Sequence, residues 1–479
     1  MNVTTDIPAR MDRLPWARWH WLVLVGLGSV WILDGLEVTI VGAVGSRITE
    51  PGSGLGISEA QVGLAASIYI VGACLGALFF GHLTERYGRR RIFLATLGVY
   101  LTATVLTALS GNALWFYVCR FFTGFGIGGE YAAINSAIDE MVPARLRGRI
   151  ALIVNGSYWL GAAAGAAMAF PLLDPDLLPE DIGWRLTFAI GGLLGLIIIV
   201  VRRIVPESPR WLVIHGREEE AERVVRRIEA EVERETHRDW LPEPASTLTL
   251  EQRTTTTFRE VGTTLVRTYP RRTLLGLALF AGQAFLYNAV FFTQALVLTT
   301  FFDVPSAVAP LFIVPLALGN FLGPVLLGPL FDTLGRRPMI AATYIGSGLL
   351  LIGTGALFQA EVLTATTLTL CWCAVFFVAS AGASSAYLTV SEIFPMETRP
   401  QAIALFYAIG TALGGILGPG LFGALVASGD IGQVTFGYYL GAGLMILGGL
   451  VELFLGVEAA RRSLEDIADP LSRKTAAPT

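Results

Sequence analysis

The sequence predicts an all-α membrane protein in which twelve transmembrane helices form two pseudo-symmetric six-helix bundles. Of its 479 residues, 53% are hydrophobic and only 15% are charged, whereas a soluble protein has about a quarter of its residues charged. Uncharged runs of about 20 residues, the length that spans a bilayer, recur along the chain. A loop motif that follows the second run returns after the eighth. Soluble enzymes, nucleic-acid-binding proteins and disordered scaffolds fit this composition poorly.

Twelve apolar runs with charged flanks define the helices, which we number as spans one to twelve. They cover residues 20–45, 60–82, 92–110, 113–138, 149–172, 184–204, 273–298, 308–331, 339–358, 364–388, 400–427 and 433–456. We therefore divide the chain into an N-terminal arm (1–19), an N-terminal six-helix bundle (20–204), a central loop with short helices (205–272), a C-terminal six-helix bundle (273–456) and a tail (457–479). Glycines four apart, as in Gly72-x-x-x-Gly76, predict close contacts between helices.

The positive charges indicate the orientation. If both termini are cytoplasmic, all but three of the 34 Lys and Arg residues fall in cytoplasmic segments, the exceptions being Arg47, Arg120 and Arg185. Cytoplasmic loops of membrane proteins carry such an excess of positive charge. We therefore expect a multi-pass protein of the cell (plasma or inner) membrane with both termini in the cytoplasm.

Four deep charges are candidates for chemistry, because an ionisable side chain in a bilayer is expensive and usually functional. They are Asp34 and Glu37 in span one, and Arg120 and Glu130 in span four. Glu37 and Arg120 lie about 12 Å and about 10 Å from the outer ends of their helices, at similar height and with opposite charge. We predict that they pair in one protonation state and separate in the other, with Asp34 one turn away. A static ion pair that fixes helix register is the alternative.

Glu130 allows three interpretations. It can extend a proton route inward, contact arginines near the cytoplasmic end of span four, or serve local structure only.

A second set of charges lies at the cytoplasmic ends of helices in both halves, and we predict that they form a gate. Isolated surface charges are the alternative, since single exposed pairs contribute little. The set comprises Glu85, Arg86, Arg89, Glu140, Arg147, Glu207, Arg210, Asp332, Arg336, Glu392 and Arg399.

Span seven carries the candidate solute-binding residues. Gln283, Tyr287 and Gln294 share a helix face, with Asn288 beside them. Buried amides and phenols need partners, which a hydroxylated or carboxylate-bearing solute or a neighbouring helix can supply. Weaker candidates for the pocket are Trp159, Asn320, Trp372 and Tyr387.

The repeated loop supports duplicated halves. Residues 81–91 read GHLTERYGRRR and residues 328–337 read GPLFDTLGRR. Each has a glycine, an acid four residues later, a glycine three further on, and then arginines. Parallel repeats with a site at the midplane between them are typical of one large class of secondary transporters.

The chain resembles the major facilitator superfamily, whose signature loop is similar to residues 81–91. Segments 120–129 (RFFTGFGIGG), 140–148 (EMVPARLRG), 206–212 (PESPRWL) and 392–399 (EIFPMETR) resemble motifs of the sugar-porter and metabolite/proton-symporter branch. Segment 34–37 (DGLE) is similar to the acidic motif of aromatic-acid symporters, and Gly-Gly-Glu at 128–130 is similar to synaptic-vesicle-glycoprotein-like members. In proton-coupled sugar porters an acid at the position of Glu37 faces an arginine at that of Arg120, and facilitators of the branch typically lack the acid.

We expect a proton-coupled symporter that moves a small polar or acidic organic solute by alternating access. An uncoupled facilitative sugar transporter, and a transporter-like receptor or scaffold without flux, are the alternatives. The expected partners are the lipid bilayer, the solute and protons, with the chain a monomer. We expect no enzyme activity, cofactor, metal or nucleic acid, because no motif for them is present.

Overall fold

All twelve predicted spans are helical in the computed structural model, which describes residues 2–202, 206–236, 241–244, 246–253, 255–291, 293–305 and 308–473. The helices are, in order, Arg18–Ile48, Glu59–Tyr87, Arg89–Ala108, Ala113–Met141, Arg147–Gly156 with Tyr158–Leu172, Glu180–Arg202, Pro270–Leu286 with Gln294–Phe301, Ile313–Thr333, Arg336–Gln359, Ala365–Ile393, Arg399–Ala412 with Gly418–Ala427, and Ile431–Leu455. Within the described ranges, nine helical stretches are long and apolar enough to cross a membrane. The predicted fold class is confirmed.

Two ends of the predicted segments cannot be compared with the structure. Residues 203–205, where span six was predicted to end and the central loop to begin, lie outside the described residues, as do residues 474–479 of the tail. The domain boundaries stay a prediction.

Three of the predicted spans are interrupted in the structure. Span five has a break at Ser157, whose hydroxyl donates to Val154 O at 2.6 Å and to Gly28 O on span one at 2.9 Å. Hydrogen bonds of this kind bend helices. Spans seven and eleven contain π-helical turns at Tyr287–Phe291 and Leu413–Leu417.

The two π-helical turns lie where spans seven and eleven approach closely. A Cβ atom on Gly414 would lie 2.4 Å from the carbonyl carbon of Ala284, so no larger residue fits there. Asn288 Nδ2 donates to the Ala284 carbonyl oxygen at 2.8 Å. π-Helical turns inside α-helices are frequent at functional sites.

Glycines bring helix backbones into contact inside each half. A Cβ atom on Gly76 would lie 2.0 Å from Phe125 O, and one on Gly124 would lie 2.1 Å from Tyr69 O, so spans two and four pack backbone to backbone. Spans one and five do the same, because a Cβ on Gly35 would lie 1.8 Å from Tyr158 O. The predicted close contact at Gly72-x-x-x-Gly76 is confirmed.

The central insert, the N-terminal arm and the tail lie together on one side of the bundle, which we call the insert side. Strand Asn2–Thr5 pairs antiparallel with strand Leu248–Glu251, and Glu251 N donates to Ser472 O of the tail at 2.8 Å. The insert also contains helices Pro209–Ile214, Glu218–Thr236 and Phe258–Thr263. The strand pair was not predicted, because strands of four residues are at the lower limit of length at which an alternating pattern indicates a strand.

Ion pairs fasten the N-terminal arm to the insert. Arg10 and Arg13 each place a guanidinium nitrogen 2.6 Å from a carboxylate oxygen of Glu229. Burial opposes the charge on Glu229, but the hydrogen bonds from both arginines outweigh it and hold the pKa of Glu229 below its usual value.

The repeated loop has the same backbone geometry in both halves. Gly88 and Gly335 take positive φ angles of 93° and 115°, a conformation that L side chains rarely adopt, between spans two and three and between spans eight and nine. Glycine is therefore favoured at this position of each loop, where the chain turns from one helix into the next.

Candidate functional site

An ion pair lies buried between spans one and four. Arg120 Nη1 is 2.7 Å from Glu37 Oε1, and both side chains are almost completely buried. The guanidinium also lies over the Tyr69 ring, 4.7 Å from its centroid, and 6.0 Å from that of Phe188. Such cation–π contacts favour the charged guanidinium away from water. The structure therefore brings together the two charges whose pairing the sequence predicted.

Two further carboxyls lie close to this pair. Asp34 and Glu130 are buried, and both, like Glu37 and Arg120, act electrostatically on Tyr69. The same three carboxyls act on Tyr100. Three buried carboxyls and one guanidinium thus lie within electrostatic range of the same tyrosine, and Glu37 is the carboxyl that pairs with Arg120.

Glycines set the positions of these side chains. Gly35 packs on the backbone of span five, and Gly124 packs on that of span two. Because Gly35 lies between Asp34 and Glu37, span one approaches the interior closely at the turn that carries both acids.

A cavity of about 160 Å³ lies between the two halves. Its walls consist of aromatic rings, two amides and small residues from spans one, four, five, seven and ten. The lining residues are Trp31, Tyr131, Asn155, Tyr158, Trp159, Gln283, Tyr287, Ser380, Ala383, Ser384 and Tyr387. A cavity of roughly 150 Å³ holds one benzene molecule, so this one has room for a solute with a single ring.

The rings of the cavity contact each other. Trp31 stacks on Tyr131 with centroids 4.7 Å apart, and Trp159 stacks on Tyr287 at 5.3 Å. The Tyr287 hydroxyl donates to Asn320 Oδ1 at 2.7 Å. The rings are therefore held in place before any solute binds.

The predicted solute-binding residues divide into three groups. Gln283, Tyr287, Trp159 and Tyr387 line the cavity, and Asn320 lies behind it, bonded to Tyr287. The structure places the remaining three outside the lining: Asn288, Gln294 and Trp372.

Gln294 does not line the cavity, because the π-helical turn that precedes it changes the face of the helix on which it lies. The predicted face assumed an ideal helix, in which each residue turns by about 100°. A π-helical turn adds a residue and rotates everything after it. Asn288 donates instead to the carbonyl of Ala284 in the preceding turn.

Seven lining residues were missed by the sequence analysis: Trp31, Tyr131, Asn155, Tyr158, Ser380, Ala383 and Ser384. Two of them had a usable signal, since Trp31 is one turn before Asp34 and Tyr131 adjoins Glu130. The others look like ordinary residues of apolar helices.

The insert side carries matching ion pairs in the two halves. Arg89 Nη2 lies 2.7 Å from Glu140 Oε1 in the first half, and Arg336 Nε lies 2.9 Å from Glu392 Oε2 in the second. All four side chains are buried. The repeated loop thus places an arginine at the start of spans three and nine, where it meets an acid from the end of spans four and ten.

A carboxylate also caps each of these helices. Glu207 Oε1 accepts from Arg89 N at 2.9 Å, and Glu458 Oε1 accepts from Arg336 N at 2.8 Å. Acids are stabilised at helix N-termini. Burial raises the pKa of Glu207 above its usual value, although Arg89 lowers it. Glu458 was missed by the sequence analysis because it lies beyond the signature segments.

Charges from one half meet charges from the other. Arg399 Nη1 is 3.7 Å from Glu140 Oε1, and Arg147 Nη1 is 3.7 Å from Glu392 Oε1. Each acid is therefore shared between an arginine of its own half and one of the other half. These contacts connect the two halves on the insert side.

Asp332 joins the halves through backbone groups. Its carboxylate oxygens accept from Gly148 N at 3.0 Å and Arg149 N at 2.8 Å at the start of span five, while Oδ1 lies 2.8 Å from Arg336 Nη1. Its counterpart Glu85 instead accepts from the backbone and the hydroxyl of Thr256 in the insert.

The last two predicted gate residues, Arg210 and Arg86, differ in burial and in their contacts. Arg210 is buried and bonds to Glu465 at 2.9 Å, to Asp12 at 3.4 Å and to the Glu140 carbonyl at 2.7 Å. Arg86 is exposed and lies over the ring of its neighbour Tyr87. The structure therefore places Arg86 apart from the network.

No group of three or more His, Cys, Asp and Glu side chains is arranged to hold a metal ion within the described ranges.

A family model described as "Sugar (and other) transporter" matches residues 37–470. The chain belongs to this family. It is a multi-pass membrane transporter of the major facilitator superfamily, similar to the sugar porters, and not an enzyme. The family resemblance predicted from the sequence is confirmed.

Three proteins illustrate the similarity. The niacin transporter NiaP of Acinetobacter baylyi is 25% identical over 464 residues, which cover 96% of this chain and 99% of that protein. The 4-hydroxybenzoate transporter PcaK of Pseudomonas aeruginosa is 29% identical over 221 residues, 46% of this chain and 47% of that one. A structure of the proton:xylose symporter XylE bound to 6-bromo-6-deoxy-D-glucose superposes with a TM-score of 0.78 at 20% identity, covering 94% of this chain and 98% of that chain.

Proposed function

We propose that this protein is a proton-coupled symporter that moves a small organic solute with a single ring by alternating access. One observation carries the proposal: Trp31, Asp34 and Glu37 follow each other at intervals of three residues on span one. Trp31 lines the cavity and Glu37 pairs with Arg120. Asp34 lies between them, about 4.5 Å along the helix axis from each.

The coupling follows from this order. The solute contacts Trp31, and the proton binds within the cluster of Asp34, Glu37, Arg120 and Glu130. Protonating Glu37 removes its attraction for Arg120 and frees spans one and four to move relative to each other. Solute and proton therefore act on the same helix, within two turns of each other. Coupling requires that each of them interacts differently with the two conformations of the transporter, and a shared helix lets both do so.

The solute class rests on the cavity and on relatives. The cavity is lined by rings and has the volume for one further ring. NiaP and PcaK are named for niacin and 4-hydroxybenzoate, each a single aromatic ring.

The remaining assignments belong to the same proposal. The insert side faces the cytoplasm, as the positive charges indicate, and the ion pairs shared between the halves form the gate on that side. Gln283, Tyr287, Trp159 and Tyr387 bind the solute, with Asn320 positioning Tyr287.

The test uses purified protein in liposomes with an imposed proton gradient. Nicotinate, nicotinamide, 3-(aminomethyl)pyridine and xylose are supplied in turn, and solute accumulation is measured along with internal pH. We expect a ring solute to accumulate with protons and a protonophore to abolish the accumulation. Protein-free liposomes give the passive leak.

Glu37→Gln is the decisive variant. It should lower uphill accumulation of the solute at least about tenfold, while exchange of preloaded solute continues. The reason is that the neutral amide mimics only the protonated state of Glu37. Glu219→Gln, an exposed acid on the insert, is the matched control and should behave as the unmodified protein. Uphill uptake retained in Glu37→Gln would refute the coupling role, xylose equilibration without protons would favour a sugar facilitator, and binding without flux would favour a receptor.

A further inference from the structure

We propose that the central cavity selects a ring solute whose substituent is neutral or positively charged, and discriminates against the corresponding carboxylate. The inference rests on the proposed function and adds the charge of the solute. Three features of the cavity carry it.

The first feature is the arrangement of rings. Trp31, Tyr131, Trp159 and Tyr287 form two stacked pairs, and the Tyr387 ring lies 5.7 Å from Trp31 and 6.1 Å from Tyr131. The faces of aromatic rings are electron-rich and attract cations within about 6 Å. The same faces give a carboxylate no compensation for leaving water.

The second feature is the fixed charge nearby. None of the described residues that line the cavity is Arg, Lys or His. The Asp34 carboxyl acts electrostatically on three lining residues, Tyr131, Tyr158 and Tyr387. The Arg120 guanidinium is bonded to Glu37 at 2.7 Å. A bound anion would therefore have no cationic side chain in the lining to pair with, while the Asp34 carboxyl acts on three of the lining tyrosines.

The third feature is the hydrogen-bonding capacity of the wall. Asn155 Nδ2 donates to Ala151 O at 2.8 Å and to Asn135 Oδ1 at 3.1 Å. Since the Ala151 carbonyl can only accept, the amide orientation is fixed, and Asn155 Oδ1 has no hydrogen-bond partner among the described residues. This oxygen can accept from the N–H of a solute amide or ammonium. A carboxylate has no hydrogen to donate.

A complementary donor completes the match to a carboxamide. The Trp31 indole nitrogen is buried and has no hydrogen-bond partner in the described part of the chain. It can donate to a carbonyl oxygen, so an aromatic amide satisfies both this donor and Asn155 Oδ1. An unsatisfied buried polar group is costly, so a solute that pairs both groups is favoured.

The experiment compares three solutes that share one ring and differ in charge. Nicotinate, nicotinamide and 3-(aminomethyl)pyridine are titrated into the full-length protein in detergent at pH 7.5, and binding is measured by isothermal calorimetry. We expect nicotinamide or the protonated amine to bind at least tenfold tighter than nicotinate. Asp34→Asn should reduce the advantage of the amine over nicotinamide at least threefold, whereas Asp176→Asn, an exposed acid, should leave it unchanged.

Trp159→Ala provides a second readout. The substitution removes a stacking ring without changing the charge of the cavity, so it should weaken the binding of all three solutes by a similar factor. Tightest binding of nicotinate would overturn the inference, and so would an Asp34→Asn protein with an unaltered preference. The proposed function would survive both results, because it depends on proton-driven flux and on Glu37. Failure of every ring solute to bind would overturn both.

Discussion

Arg120 is the residue on which the buried cluster depends, since its guanidinium pairs with Glu37. Removing one partner of a buried pair typically costs 3–5 kcal/mol, because the other charge stays behind. We expect Arg120→Gln to lower the free energy of unfolding by about 3 kcal/mol. Adding Glu37→Gln in the same chain should recover about 1 kcal/mol or more, because it removes one stranded acid.

The measurement is an SDS unfolding titration in mixed micelles on the single and double variants. Arg47→Gln serves as the control, because Arg47 pairs with the half-exposed Glu50, and surface pairs are worth at most about 1 kcal/mol. Strictly additive losses from Arg120→Gln and Glu37→Gln would show that the two side chains do not interact energetically.

The depth of a residue in the membrane was predictable, and its direction was not. Glu37 and Arg120 could be paired from the sequence, because 1.5 Å per residue fixes the height of each on its helix. Trp31 and Asn155 could not be assigned to the cavity, because which face of a helix turns inward depends on neighbouring helices. Gln294 was assigned to the wrong face because π-helical turns leave no pattern that the apolar periodicity reveals.

At the scale of helices, the close contact of spans two and four holds the arginine in place. Span four carries Arg120, and its Gly124 packs on the backbone of span two. A side chain at Gly76 would overlap Phe125 O, because its Cβ would lie at 2.0 Å. The two backbones must then separate, and the cluster loses the contact of Tyr69 with Arg120.

We therefore expect Gly76→Val to lower the melting temperature by more than 10 °C or to prevent folding. Gly98→Val is the matched control, because nothing lies within 4 Å of a Cβ at Gly98 in the neighbouring span three. Both substitutions add the same apolar volume to a membrane helix. Melting is followed by fluorescence-detected size exclusion after heating, and equal loss in the two variants would mean that the contact of spans two and four has no special role.

The signature loops were predictable as a repeat, whereas their partners were not. The glycine spacing at 81–91 and 328–337 marks two equivalent loops, and in the structure Gly88 and Gly335 both take positive φ angles. Glu458 and Asp12 escaped notice because each lies in a terminal segment that reaches the network only through the fold. Contacts between distant parts of the chain are the feature that is hardest to predict from a single sequence.

At the scale of the whole molecule, the two halves share their charges on the insert side. Glu140 is held by Arg89 of its own half and faces Arg399 of the other, and Glu392 stands in the same relation to Arg336 and Arg147. The pairs inside each half keep the helix ends together, and the pairs between halves connect the halves on the insert side, where we propose the gate. Opening the insert side must break these longer pairs at 3.7 Å and the hydrogen bonds that Asp332 accepts from Gly148 N and Arg149 N.

Arg399→Ala should therefore shift the population toward a state open on the insert side. Cys74 reports the change, because this free cysteine of span two donates to Ala408 O of span eleven at 3.4 Å, a contact between the two halves. In a protein with Cys119, Cys371 and Cys373 replaced by serine, Arg399→Ala should raise the rate of Cys74 labelling by maleimide at least fivefold. Arg86→Ala removes an arginine from the same side, but an exposed one outside the network, and should leave the rate unchanged. Equal labelling in the two variants would show that the charges shared between the halves do not control access to the interior.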